Sequence, residues 1–221
     1  HINNINYFSQ YLKKKYNIEI YYMLESNGKS YIIMTLGEST VGKTTYLENY
    51  INNKFKNSLP TVGYNVYSKY FYSSNGEKNK IIFEDTSGQE RYHSLAFNFI
   101  KRVHGIILMY DITKKNTFNA IRNWWNKILD HKDKDFPVIL VGNKCDLEDE
   151  REVRKEEGEK IARELGIKFI ETSNKKGINI KESARELIKM ILKSLNEDED
   201  VKSVKLDKKK LTKRKKKKCC K

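Results

Sequence analysis

The sequence predicts an α/β protein with a mostly parallel sheet of six strands and helices on both of its faces. Two continuous apolar runs, HGIILMY at 104–110 and PVILVG at 137–142, have the character of strands buried on both sides. Segments with helical periodicity lie between or after them, at 116–131, 153–165 and 179–195. Strands alternating with helices imply crossover connections, and hence parallel neighbours.

The first strand is the short apolar run at 31–36, stopped by Gly37, and a helix follows at 44–53. Residues 63–72 are rich in Tyr and Val, and 80–84 continue the strand character. Ser73, Asn75 and Gly76 supply a turn between these two, which predicts a hairpin. Residues 168–171 form a sixth strand. In such a sheet ligands bind at the carboxyl ends of the strands, so the loops after 36, 84, 142 and 171 are the places to look.

A chain of 221 residues suits one domain of ordinary size with flanking segments. No stretch approaches the roughly 18 consecutive apolar residues of a membrane-spanning helix. Three cysteines, two of them adjacent, do not make a disulfide framework and suit a reducing compartment. The net charge of +15 is unevenly placed: residues 201–221 carry +11 and residues 1–22 carry +2, which leaves +2 for 23–200. The basicity therefore belongs to the tail and not to the folded part. Residues 1–22 open with His and are rich in Asn, Tyr and Ile. They read as a non-native or disordered extension ahead of Met23, with a genuine targeting segment as the competing reading. Residues 23–196 form the domain. Residues 197–221, acidic and then basic with no apolar periodicity, form a disordered polybasic tail that ends in a cysteine pair.

Gly37-Glu38-Ser39-Thr40-Val41-Gly42-Lys43-Thr44 fits G-x-x-x-x-G-K-[ST] at every position, after a strand and opening a helix. Its glycines let consecutive backbone N–H groups converge on one anion, and the helix terminus behind them adds partial positive charge. Lys43 reaches toward β- and γ-phosphates in this pattern, and the Thr44 hydroxyl is a Mg²⁺ ligand. The plain alternative is a glycine-rich turn that caps a helix. Asp85-Thr86-Ser87-Gly88-Gln89-Glu90 follows the third strand. There Asp85 can hold Mg²⁺ through water, the Gly88 N–H can approach a γ-phosphate, and Gln89 can orient an attacking water. Taken alone it is an ordinary turn, and it gains weight only from its place downstream of the phosphate loop.

Asn143-Lys144-Cys145-Asp146 follows the fifth strand. The Asp146 carboxylate can accept from the N1–H and 2-amino groups of guanine, a donor pair that adenine lacks. Lys144 can lay its stem along the base, and Asn143 can tie this loop to the phosphate loop. A polar turn is the alternative. Glu171-Thr172-Ser173-Asn174-Lys175 follows the sixth strand, where a backbone N–H can meet guanine O6.

GESTVGKT, DTSGQE, NKCD and ETSNK, in this order and spacing, resemble the Ras-like small GTPases over roughly residues 30–195. The resemblance implies a P-loop NTPase fold of the small G-domain type that binds GTP or GDP with Mg²⁺ and hydrolyses GTP slowly. Thr45, Ser173 and Lys175 join the nucleotide site on this basis. Thr61, in Pro60-Thr61-Val62-Gly63-Tyr64-Asn65-Val66, becomes the switch threonine that binds Mg²⁺ and the γ-phosphate, and Phe55 the aromatic packed against guanine. Catalysis falls to Gln89, Lys43 and Thr61.

Within the superfamily, DTSGQERYHSLAFNF, HGIILMYDIT and the Lys-rich tail ending in Cys219-Cys220-Lys221 look most like Rab proteins. The tail then implies geranylgeranylation at Cys219 and Cys220, and a cytoplasmic site on an intracellular membrane with cycling through the cytosol. The implied partners are an exchange factor, a GTPase-activating protein, effectors, the prenylation machinery and a GDI-like chaperone. The implied role is regulation of vesicle traffic. Competing functions are a poorly hydrolysing GTP-binding scaffold, or a GTPase whose basic tail serves nuclear or nucleic-acid association. No aromatics are interleaved with the tail lysines, which disfavours nucleic acid.

Several positions depart from the Rab pattern. The spacing from Lys43 to Thr61 is one residue short, and PTVGYNV is Arf-like. Met23-Leu24 lacks the glycine that myristoylation requires, so an Arf assignment is disfavoured. Glu84 stands where Rabs carry an exposed Trp that effectors read. FIKRV at 99–103 replaces YYRGA, and Asn174 replaces the usual Ala.

Overall fold

A computed structural model describes residues 28–55, 64–72, 77–86 and 99–195. Its elements run β1 (Ser30–Leu36), α1 (Lys43–Asn52), β2 (Tyr64–Tyr72), β3 (Lys78–Thr86), β4 (Gly105–Asp111), α2 (Lys115–Asn119), α3 (Ile121–Leu129), β5 (Val138–Asn143), α4 (Lys155–Leu165), β6 (Lys168–Thr172) and α5 (Ile180–Ser194). One sheet holds all six strands in the order β2-β3-β1-β4-β5-β6. Only β2 runs antiparallel to its neighbour, as the hairpin partner of β3; the other four pairings are parallel.

Alternation along the strands builds two apolar layers. Ile33, Ile81, Phe83, Ile107, Met109 and Val141 face α1 and α5, meeting Leu47, Leu187, Ile188 and Ile191. Met34, Leu36, Leu108, Val138 and Leu140 face the other way, against Ile121, Trp124, Ile128, Ile161 and Leu165 of α3 and α4. Every residue of β4 and β5 is buried, because both faces of these central strands are covered. Gly105 opens β4 where α5 crosses: a Cβ there would lie 2.7 Å from Ile191 Cδ1. The absent side chain lets the helix close onto the sheet.

Two helical segments differ from the sequence expectation by more than one residue at an end. The single helix expected at 116–131 is two short helices, α2 and α3, joined at Ala120. Ala120 keeps helical angles and is bonded on both sides, its N–H to Asn116 O and its O from the Trp124 N–H. The chain stays wound through the junction. The helix expected from 153 begins at 155 because Glu152 and Val153 both donate their N–H groups to Ile112 O. The helix starts only after that tether, where the Glu157 carboxylate accepts the Arg154 N–H. Gly166, at φ +73°, ends α4 in the left-handed conformation.

Candidate nucleotide-binding site

The parallel order brings the carboxyl ends of β1, β3, β4 and β5 to one edge of the sheet. The phosphate loop leaves β1 at Gly37 and enters α1 at Lys43. Gly37 (φ +138°) passes so close to β4 that a Cβ would sit 2.2 Å from Met109 O, and Gly42 has φ +99°. Both glycines are therefore required by the path of the backbone. Val41 is buried in the core and anchors the loop, while Ser39 is half-buried and Thr40 is exposed with φ +66°.

Lys43 is 5% exposed. Its ammonium donates to Gly37 O at 2.9 Å and Glu38 O at 2.8 Å, so the loop is curled around it. Burial lowers the Lys43 pKa to about 8, against the opposing pull of Asp85 and Glu38. Thr44 donates its hydroxyl to Asp85 Oδ2 at 2.8 Å. Burial raises the pKa of Asp85, with the Thr44 hydrogen bond and Lys43 opposing. Asp85 Oδ1 is buried with no hydrogen-bond partner among the described residues. Two oxygens of this kind, one an orphaned carboxylate oxygen in a desolvated position, suit a hard divalent cation that takes oxygen ligands and keeps its own waters. The residues present therefore fit Mg²⁺.

Asn143 and Asn174 bind the second half of the site to the first. Asn143 donates Nδ2–H to Val41 O at 2.8 Å, and its Oδ1 accepts from the Thr172 hydroxyl at 3.2 Å and the Asn174 N–H at 3.3 Å. Asp146 Oδ1 accepts from the Ser173 hydroxyl at 2.5 Å, which orients the carboxylate. Lys144, at φ +72°, sets its ammonium 2.5 Å from Asp111 Oδ2 at the end of β4. Asp111 is wholly buried, so this pair fixes the Lys144 stem beside the turn that carries Asp146. Thr45 donates to Gly42 O at 2.9 Å. Lys175 is exposed.

Four of the predicted loops thus converge as far as they are described. Phe55 is 42% exposed just past α1 and belongs to neither packed cluster. Thr61, Gly88, Gln89, Cys219 and Cys220 lie outside the described residues.

The structure adds contacts that the motifs did not announce. Trp124 Nε1–H donates to Glu38 Oε1 at 2.9 Å, which ties the phosphate loop to α3. Asn49 Nδ2–H donates to Asn174 O at 2.7 Å. A polar residue at the second position of the loop, and a Trp on the inward face of a helix, were visible signals; their meeting across 86 residues was not.

Residues 32–193 match the Ras family. The chain belongs to that family. It is similar to Rab proteins within it, being 39% identical over 169 residues to the Ras-related protein Rab-3A of Homo sapiens, 76% of each chain. It is 38% identical over 166 residues to the Ras-related protein Rab-3C of Bos taurus, 75% of this chain and 73% of the relative. The same identity holds against the GTP-binding protein Rab-3D of Rattus norvegicus, over 75% of both. In this Rab-like GTPase, Glu84 is not an exposed side chain: it is 2% exposed and ion-paired with Arg102, whose guanidinium lies 4.3 Å from the centre of the Phe99 ring. A buried carboxylate, paired with a surface-exposed guanidinium, occupies the position where an exposed aromatic was the Rab expectation.

Proposed function

We propose that this chain is a GTP-hydrolysing switch that works in vesicle traffic on the cytoplasmic face of an intracellular membrane and cycles through the cytosol. The observation that carries the reading is the coupling of two sites through Asn143. The curled loop around Lys43, with the Thr44–Asp85 oxygen pair beside it, is bonded directly to the turn that presents Asp146. A polyphosphate and a base need these two sites at once, and a capped helix turn needs neither.

Thr44 and Thr61 would hold Mg²⁺ directly, and Asp85 through water. When bound, the ion supplies charge neutralisation across the β- and γ-phosphates. Lys43 sets its ammonium against the same oxygens. The Gly88 N–H holds the γ-phosphate, and Gln89 orients water in line with the γ-phosphorus. The water oxygen bonds to that phosphorus as the bridging P–O bond breaks, and GDP and phosphate leave. Asp146 accepts the N1–H and 2-amino donors of guanine, with Lys144 along the base and Ser173, Asn174 and Lys175 behind it; Phe55 covers its edge. Thr61 and Gly88 are drawn inward only while the γ-phosphate is present, so the two nucleotide states offer effectors different surfaces. An exchange factor and an activating protein set the cycle.

Residues 23–196 make up the G domain. Cys219 and Cys220 take geranylgeranyl groups from the prenylation machinery, and a GDI-like chaperone carries the lipidated tail. No described helix is long and apolar enough to cross a membrane. Lipid with a polybasic segment supplies firm peripheral attachment. The deciding experiment is to purify the chain gently, denature it and chromatograph what it releases. GDP or GTP in near-stoichiometric amount is the expected result; adenine nucleotide, or none together with no affinity for GDP, overturns the proposal.

A further inference from the structure

Asn174 makes more contacts than its turn requires. It is 4% exposed, and its side-chain amide donates to Gly42 O at 2.8 Å and to Thr45 Oγ1 at 2.7 Å. Its main-chain oxygen accepts from Asn49 Nδ2 of α1 at 2.7 Å, and its N–H reaches Asn143 Oδ1 at 3.3 Å. Gly42 lies under both amides: a Cβ there would be 2.4 Å from Asn143 Nδ2 and 2.7 Å from Asn174 Nδ2. The turn after β6 is therefore fastened to the phosphate loop and the first turns of α1 by its own bonds, in addition to the Asn143 bond.

We propose that Asn174 is a positioning residue that latches the base-reading turn onto the phosphate loop and so slows release of bound nucleotide. A nucleotide held at its base by one loop and at its phosphates by another leaves when those loops separate. Every bond that joins the loops directly adds to the barrier to separation without touching the ligand. The Asn174 amide supplies two such bonds, and Asn49 braces the same turn from α1. An alanine at this position would keep the main-chain contacts and supply neither side-chain bond. The inference rests on the guanine-nucleotide reading above.

The test measures dissociation and association of a fluorescent GDP, and of the corresponding inosine diphosphate, from the full chain with Mg²⁺ in excess. It compares wild type with Asn174→Ala, Asn174→Asp and Asn49→Ala. Inosine lacks the 2-amino group assigned to Asp146. Loss of one or two neutral hydrogen bonds predicts that Asn174→Ala speeds release on the order of tenfold. The factor should be equal for the two nucleotides, with association nearly unchanged. Asn174→Asp keeps the shape but turns an acceptor toward Gly42 O, so it speeds release at least as much. Asn49→Ala moves release in the same direction by less.

Tight GDP binding with wild-type release rates in Asn174→Ala overturns the latch and leaves the functional reading standing. Faster release with a changed GDP-to-IDP ratio also overturns it, since Asn174 would then act on the base. A wild-type chain that retains no GDP overturns both. If Asn174→Ala does not fold, Asn49→Ala decides: unchanged release overturns the latch.

Discussion

Lys43 meets two carbonyl oxygens of its own loop, and these bonds hold the loop curled around its ammonium. Beside it, the Thr44 hydroxyl is bonded to Asp85. Replacing Thr44 with Asn removes that hydroxyl, and GTP affinity measured in Mg²⁺ should fall while affinity measured in a chelator changes little. An equal loss in both conditions would argue that Thr44 only supports the loop. Asp146 is set by the Ser173 hydroxyl, so its contribution to the choice of base can be isolated. Asp146→Ala should weaken GDP binding by roughly 100-fold or more, as expected for two hydrogen bonds to a charged group, and leave ADP binding as weak as before. Isothermal titration with both nucleotides checks it. The motif residues were legible in the sequence because their chemistry is local to a few positions. Asn174 and Glu38 were visible as residues but not as connectors. Asn174 finds Gly42 across 132 positions, and a single sequence gives no register for such a meeting. Glu84 was marked as a departure; that it is buried against Arg102 follows from its inward direction on β3, which the strand run did not specify.

At the level of elements, all six strands were legible in the sequence, and β4 and β5 left an unbroken apolar signal because they are buried on both faces. The helix ends were harder. They depend on tethers such as that of Val153 to Ile112, where a long-range acceptor overrides local periodicity. Packing offers two measurable consequences. Gly105→Val would drive a side chain into Ile191, and overpacking of this kind should cost about 1–3 kcal/mol of stability in urea unfolding. Lys69 on β2 donates to Tyr50 O of α1 at 2.6 Å, with its ammonium 4.4 Å from the centre of the Tyr50 ring. Burial, with Lys181 adding to it, lowers the Lys69 pKa to about 8. Between pH 8 and the ordinary lysine value of 10.5 the unfolded chain binds the extra proton, so Lys69 makes the fold relatively more stable as pH rises through that window. The stability difference between wild type and Lys69→Met should shift toward wild type from pH 7.5 to pH 9.5, modestly, because the amine is partly solvated. A difference that does not move with pH would mean that Lys69 titrates normally.

Across the whole molecule, one sheet edge collects the loops proposed to hold the phosphates and the base, while the net charge sits elsewhere, in the tail. The two regions should therefore fail separately. Gln89→Leu should nearly abolish stimulated turnover in single-turnover assays and spare GTP binding; an unchanged stimulated rate removes its water-positioning role. Cys219→Ser together with Cys220→Ser should move the expressed protein from the detergent phase to the aqueous phase without altering nucleotide affinity, and no change in partitioning removes the lipid proposal. The bonds from Asn143 and Asn174 to Val41 and Gly42 are received by main-chain oxygens alone. A peptide carbonyl does not depend on the side chain of its residue, so the half-buried Ser39 and exposed Thr40 at the tip can vary while the grip beneath them, with Gly42 kept, stays the same. Mutational drift should therefore collect at that tip and spare the two asparagines.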